Sequence, residues 1–360
     1  MRLCPYTKIF KVEEVMDRLK RLFYFLIIIA GTTAQVFGGG QDKAGTNSAP
    51  ELQIPIGSRY IAMGGADISS SAGLESIYWN PAGADYGASS ANMMFSYRKY
   101  FADMSFNYFA ASAKFDLGTI AVSLRDLNVG DINVTSMDHP DGTGQIITPT
   151  YFVLGLTYSK ALTDRISIGV NMNWIDESWA NVAASGVSFD FGVQYRNLLS
   201  VPNLNLGIVV KNLGPSIQYG GSGLWIQATD PAASRGTTFY QVGAGSYELP
   251  SSVSLGLSYS NNFDEVNKLT VATSFVNNNF TYDEIRVGAE YSFRDLIYLR
   301  LGYLYSPGST SDTPNIYQNY AAGFGINFAS FSGLDITLDY AYIPVKYFDA
   351  NQSVTVRMGF

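Results

Sequence analysis

Nucleophilic or acid–base chemistry needs a base within reach of the reacting group, and in these 360 residues His139 is the one imidazole. It sits in Asp138-His139-Pro140-Asp141-Gly142, a string of turn formers, and so reads as a loop residue. The single cysteine, Cys4, falls in the segment expected to be removed, which leaves no disulfide or cysteine-ligated metal for the mature chain. Gly64-Gly65 follows no strand and lacks GxGxxG spacing, so phosphate binding is not expected there. No catalytic residue, cofactor site or metal site is expected.

Two stretches have the composition for binding or closure instead. Gly57 to Gly83, GSRYIAMGGADISSSAGLESIYWNPAG, is a compact run of glycine and small residues. Within it Leu74, Ile77 and Tyr78 share one face of a short helix that Asn80-Pro81 should end. Asn80 then caps a second short helix with Pro81 at its first position, and Gly64, Gly65, Asn80, Pro81 and Gly83 form the motif of a plug. An ordinary capped turn without a ligand is the plain alternative. The second stretch, Pro215 to Pro250, holds Tyr219, Trp225, Ile226, Phe239, Tyr240 and Tyr247 among Gly and Ser. Such aromatics suit either the anchoring of a partner or a self-packed cap over a barrel mouth.

The elements that must position these stretches show a period of two. In Arg165 to Ile175 the residues Ile166, Ile168, Val170, Met172 and Trp174 alternate with polar ones, which describes a half-buried strand. The pattern recurs from Ile120 to Phe360, and with two less regular segments near 92–99 and 104–115 it predicts about 14 strands. Short connections at 116–118, 162–164, 262–265, 294–296 and 329–332 alternate with long ones near 129–149, 214–249 and 307–318. That parity belongs to a closed antiparallel barrel with both chain ends on one side, not to a sandwich. Tyr303, Tyr305, Tyr340 and Tyr342 end strands of one direction, and Tyr195, Tyr259, Tyr291, Phe293 and Phe360 end strands of the other, as two interfacial belts would. The expected fold is therefore all-β: a transmembrane antiparallel β-barrel with an N-terminal plug containing short helices, the plug lying on the periplasmic side.

Composition agrees. Charged residues are 15%, aromatics 14%, with 35 Gly and 25 Tyr, while mean hydropathy is only +0.05, because apolar and polar residues alternate and cancel. A net charge of -7 argues against nucleic acid as a partner. Arg18, Lys20 and Arg21 precede the apolar run Leu22 to Ala30 and then small residues, the pattern of a secretory signal peptide. An N-terminal membrane anchor is the alternative. The expected division is 1–38 signal peptide, with Met16 the expected true start, 39–90 linker and plug, and 91–360 barrel. Removing 1–38 takes away six basic and three acidic residues and leaves a net charge of -10. Inward-facing positions carry Arg125, Asp190, Arg196, Lys211, Arg286, Glu290, Arg300, Asp335, Asp339 and Arg357, whose mixed signs suit a structural network of paired charges within a polar lumen and leave no obvious apolar conduit; a conduction path is the alternative.

Ala62-Met63-Gly64-Gly65-Ala66, then Tyr78-Trp79-Asn80-Pro81-Ala82-Gly83, then the strands ending in Phe360, resemble the PorV/PorQ family of outer-membrane proteins, itself similar to the FadL long-chain fatty-acid transporters. The resemblance implies a FadL-like barrel of the type IX secretion system in the bacterial outer membrane. It implies secreted cargo proteins and secretion or attachment complex subunits as partners, beside outer-membrane lipid. A FadL-like transporter of fatty acids or another hydrophobic small molecule is the alternative that it implies.

Overall fold

In the computed structural model, which describes residues 43–87, 89–229, 236–307, 319–329 and 335–360, 14 antiparallel strands close into one barrel. The expected leader, with Met16 and Cys4, lies outside the described residues. In chain order β1 to β14 are Ala91–Lys99, Ser105–Phe115, Gly118–Asn128, Thr150–Ala161, Ile166–Trp179, Val182–Tyr195, Leu204–Leu213, Ser252–Asn262, Asn267–Asn278, Glu284–Phe293, Ile297–Tyr305, Tyr320–Asn327, Asp335–Ile343 and Asn351–Gly359. Each pairs with its sequence neighbour, and β1 closes the barrel on β14 with Met94 opposite Arg357.

The alternation in the strands is inverted relative to a soluble sheet. In β3 the outward Ile120, Val122 and Leu124 are 46%, 47% and 37% exposed, whereas the inward Ser123 and Arg125 are 1% and 2% exposed. Phe95, Leu156, Met172, Phe191, Leu255 and Leu301 continue the exposed apolar band around the barrel. Water would penalise such a continuous surface and hydrocarbon would not.

All the long connections gather at one end, here the loop end, and both ends of the barrel chain at the other, the turn end. One register shift interrupts the wall, between β6 and β7 at Asp190. There the Asp190 carboxylate accepts the Asn212 amide at 2.7 Å, so the backbone donor freed by the bulge is satisfied.

The core is inside the barrel, where residues 48–87 pack against inward wall residues such as Met94, Phe106, Tyr108 and Val209. Short helices at Pro50–Gln53, Ser58–Ala62 (α1), Ser76–Trp79 (α2) and Pro81–Tyr86 fold this segment into a plug whose Tyr60, Met63, Ile77 and Asn80 are wholly buried. The plug is not confined to the end at which the barrel chain begins and finishes, the side on which the sequence placed it. Ser48 donates its amide to Glu248 O at 3.0 Å at the loop end, and Ala49 and Leu52 are buried against Ile217 and Leu249. Asp85, at the opposite end, accepts from Thr119 Oγ1 at 2.7 Å and from the Ala161 amide at 2.8 Å. The plug thus runs the length of the lumen, and its arm packs with wall residues Val153, Ile175 and Ala184 against Ile217 and Leu249.

Candidate functional site

Helix α1 ends in a Schellman turn. Gly65 donates to Tyr60 O at 2.8 Å and Gly64 to Ile61 O at 2.9 Å, with φ of +66° at Gly64 and +71° at Gly65, a conformation that other residues adopt at a cost. The glycine pair expected from the sequence is therefore a helix stop. It is also a contact, since a Cβ on Gly65 would lie 2.6 Å from the Trp79 ring.

Asn80 does what its position predicts and more. Its Oδ1 accepts the Ala82 amide at 3.1 Å, with Pro81 at the first position of the following helix. Its Nδ2 donates to Ile68 O at 2.8 Å within the plug and to Val193 O at 3.1 Å on the wall. Gly83 is packed so closely on Ser71 that a Cβ there would overlap the Ser71 carbonyl. The five motif residues thus lie in one body, and Gly64 and Gly65 also line a cavity between that body and the wall.

The wall makes room for that body with paired glycines. Gly169 stands opposite Gly192, Gly207 opposite Gly256, and Gly288 opposite Gly302. A side chain on the first pair would strike Asn80, Pro81 or Ala82, on the second Ile68 or Ser69, and on the third Met63 or Gly64. These glycines occupy inward positions of regular strands, which was the signal available in the sequence and not used.

The plug is also tied to the wall by alternating charges. Arg59 donates to both Glu290 oxygens at 2.9 and 2.7 Å, Arg300 bridges Glu290 and Asp339 at 2.6 Å each, and Arg357 donates to Asp339 at 2.8 Å. Arg357 then pairs with Glu75 at 3.6 Å. The series begins and ends on plug residues, Arg59 and Glu75, which sequence reasoning had not singled out. Three basic and three acidic side chains alternate within it, so the desolvation of Arg59, Glu290, Arg300, Asp339 and Arg357 is offset by hydrogen-bonded neighbours, while Glu75 has only the longer pairing with Arg357. Of the other charges expected to face inward, Arg125 and Asp190 are buried, Arg196 stacks over the Tyr86 ring, and Asp335 is an exposed rim residue.

Beside this series, towards the loop end, a cavity of about 570 Å³ lies between the plug and the wall, reaching residues of β7 to β13 and Arg98 of β1. Leu52, Ile54, Trp79 and Leu304 give it apolar walls, which the expectation of a lumen without an apolar conduit missed. Lys211 holds its ammonium 3.4 Å from the centre of the Tyr78 ring on the cavity wall.

The 214–250 segment divides in two. Tyr219 is half-buried and donates to Glu177 at 2.6 Å, and Tyr247, itself 40% exposed, lies ring against ring with it at 6.1 Å. Trp225, Phe239 and Tyr240 lie instead on a small hairpin, Trp225–Ala228 with Thr238–Gln241, and are 55%, 60% and 41% exposed. The self-packed cap and the exposed aromatic surface, alternatives in the sequence, are two halves of one segment. His139 lies in an exposed turn closed by its own amide on Ser136 O at 3.2 Å.

A model of the family described as type IX secretion system protein PorV matches residues 39–281. Among solved structures, that of the Ralstonia pickettii toluene transporter TbuX is 12% identical with a TM-score of 0.55, covering 85% of this chain and 98% of that one. That of the P. putida toluene transporter TodX is 13% identical with a TM-score of 0.56, covering 85% and 98%. A monoaromatic hydrocarbon channel, CymD, is 13% identical with a TM-score of 0.51, covering 84% and 96%. At these identities the likeness is one of fold. Comparison with the curated proteins gives no match.

Proposed function

The chain belongs to the PorV family, and from that premise we propose that it is a bacterial outer-membrane barrel that binds proteins exported by type IX secretion, through its loops, while the plug keeps its lumen shut. The loop end then faces the outside and the turn end the periplasm. The observation that carries this reading is the exposed pair of strands bearing Trp225 and Phe239 on one face, beside Gln227 and Gln241, and Ile226 and Tyr240 on the other. Rigid aromatic side chains of this kind supply contact area at little conformational cost. The plug supports it from below, because it reaches both ends of the barrel and is held against the wall by close glycine contacts and by ion pairs.

The test is to isolate the tagged protein from its own membranes and identify what accompanies it. Exported proteins, or subunits of a secretion or attachment complex, should be recovered with the wild type and lost with Trp225→Ser/Phe239→Ser, while the barrel stays heat-modifiable. Recovery of neither from the wild type would overturn the reading.

The cavity favours a second reading, passage of an apolar solute. Its aromatic and aliphatic walls fit such a ligand, and neighbours of the same fold are described as hydrocarbon channels and toluene transporters. Deleting the protein should then slow uptake of long-chain fatty acids or small aromatic hydrocarbons, and unchanged uptake of both would remove this reading.

A further inference from the structure

Glu51, on the plug arm, and Glu177, near the loop end of β5, are 1% and 2% exposed and lie within hydrogen-bonding reach of each other. Among the described residues no other side chain or amide donates to either oxygen of Glu51 or to Oε1 of Glu177. The remaining oxygen of Glu177 accepts the Tyr219 hydroxyl at 2.6 Å. Two ionised carboxylates cannot be held side by side in a buried site without a cation or a proton between them. The groups facing the pair are Tyr219 from the loop, Tyr151 from β4, directly opposite Glu177 in the sheet, and Arg125 from β3. Arg125 gives its Nη2 to Asn173 at 3.3 Å and its plane to the Tyr78 ring, and among the described residues no ion pair joins it to either acid. Neutralisation therefore falls to a proton.

We propose that Glu51 and Glu177 share one proton, and that this carboxyl–carboxylate bond, capped by the Tyr219 hydroxyl, is a latch that holds the inner half of the 214–250 segment on the plug arm. The latch has one side on each of three elements: Glu51 on the arm, Glu177 on the wall, and Tyr219 on the segment whose outer half bears Trp225 and Phe239. Losing the proton leaves two like charges face to face under the loop and drives arm and loop apart. Burial, and then the neighbouring Glu177 carboxyl, push Glu51 up to about 8, so the switch falls in the range an exterior surface meets. Burial and the bond to Glu177 push the Tyr219 hydroxyl up, which keeps it a donor throughout. That the latch regulates partner binding rests on the function proposed above; that it exists does not.

Spin labels on Thr46→Cys and Gln218→Cys in the full chain, with Cys4 removed or replaced, read the separation of arm and loop. In detergent the wild-type distance should be narrow at about pH 6 and broaden with a midpoint within about one unit of pH 8, whereas Glu51→Gln should stay narrow to about pH 10, because an amide can donate to ionised Glu177 without a proton to lose. Infrared spectra should show at neutral pH a protonated carboxylic acid that disappears above about pH 9 and is missing from Glu51→Gln. This second measurement stands on the wild type even if a variant misfolds. No broadening in the wild type, the same midpoint in Glu51→Gln, a distance change abolished by EDTA, or no protonated acid band would each overturn the latch. Partner capture at about pH 7 and about pH 9.5 is read separately: if nothing is captured at either pH the binding reading fails and the distance titration is untouched.

Discussion

Gly302 of the wall and Gly64 of the plug are in backbone contact. A Cβ on Gly302 would overlap the Gly64 amide nitrogen, and Gly288, opposite Gly302 on the neighbouring strand, meets Met63 in the same way. The plug is thus seated by the absence of side chains at paired wall positions, and a seat of this kind tolerates no added volume because neither backbone can yield.

Gly302→Val should therefore displace the plug without opening the barrel. Heat-modifiable migration should persist, while amides of residues 58–65 exchange at least tenfold faster than in the wild type, equivalent to at least about 1.4 kcal/mol. Gly243→Val, at an exposed position where a Cβ meets nothing within 4 Å, is the control and should leave exchange unchanged.

Asn80 separates capping from anchoring. Asn80→Asp keeps the oxygen that accepts from Ala82 but loses the donors to Ile68 O and Val193 O, and sets a carboxylate against two carbonyls. It should loosen residues 68–83 as much as Asn80→Ala does or more, by about 1–3 kcal/mol in exchange protection. A mild Asp variant would mean that the cap alone matters.

Arg59→Met removes both hydrogen bonds to Glu290 but leaves that carboxylate its bond to Arg300. The expected loss is about 2 kcal/mol, smaller than for a carboxylate left alone. Arg300→Met should cost more, about 3–5 kcal/mol, because it strips partners from Glu290 and Asp339 together. Urea unfolding of the two variants in the same detergent measures the difference, and equal losses would refute the ranking.

Glu51 makes stability depend on pH with a definite sign. Its carboxyl is raised from 4.5 to about 8, so the folded chain holds a proton there that the unfolded chain has released. The stabilisation is fully present below about pH 4.5 and is lost as pH rises through about 8. The melting temperature of the wild type should fall relative to that of Glu51→Gln between those limits. A difference independent of pH would contradict the assignment.

The strands, their parity and the closed barrel were legible in the chain itself, because a wall with lipid on one side and a polar filling on the other writes its two faces into every second residue. Ile120, Val122 and Leu124 against Ser123 and Arg125 needed no tertiary information to be placed. Even the helix stop at Asn80-Pro81 is a local matter, settled by proline geometry and one side-chain oxygen. What only the tertiary structure decided is how the filling meets the wall. The glycines at 169, 192, 207, 256, 288 and 302 look like weak strand positions until their partners across the sheet are known and the plug backbone is found against them. Arg59 and Glu75 are distant in sequence from the wall residues that neutralise them. Glu51, Glu177 and Tyr219 come together only because the arm reaches the loop end. Period and turn chemistry are local and can be read along the chain, whereas close approach, charge pairing and shared protons depend on distances between segments far apart in sequence, which only the closed barrel sets.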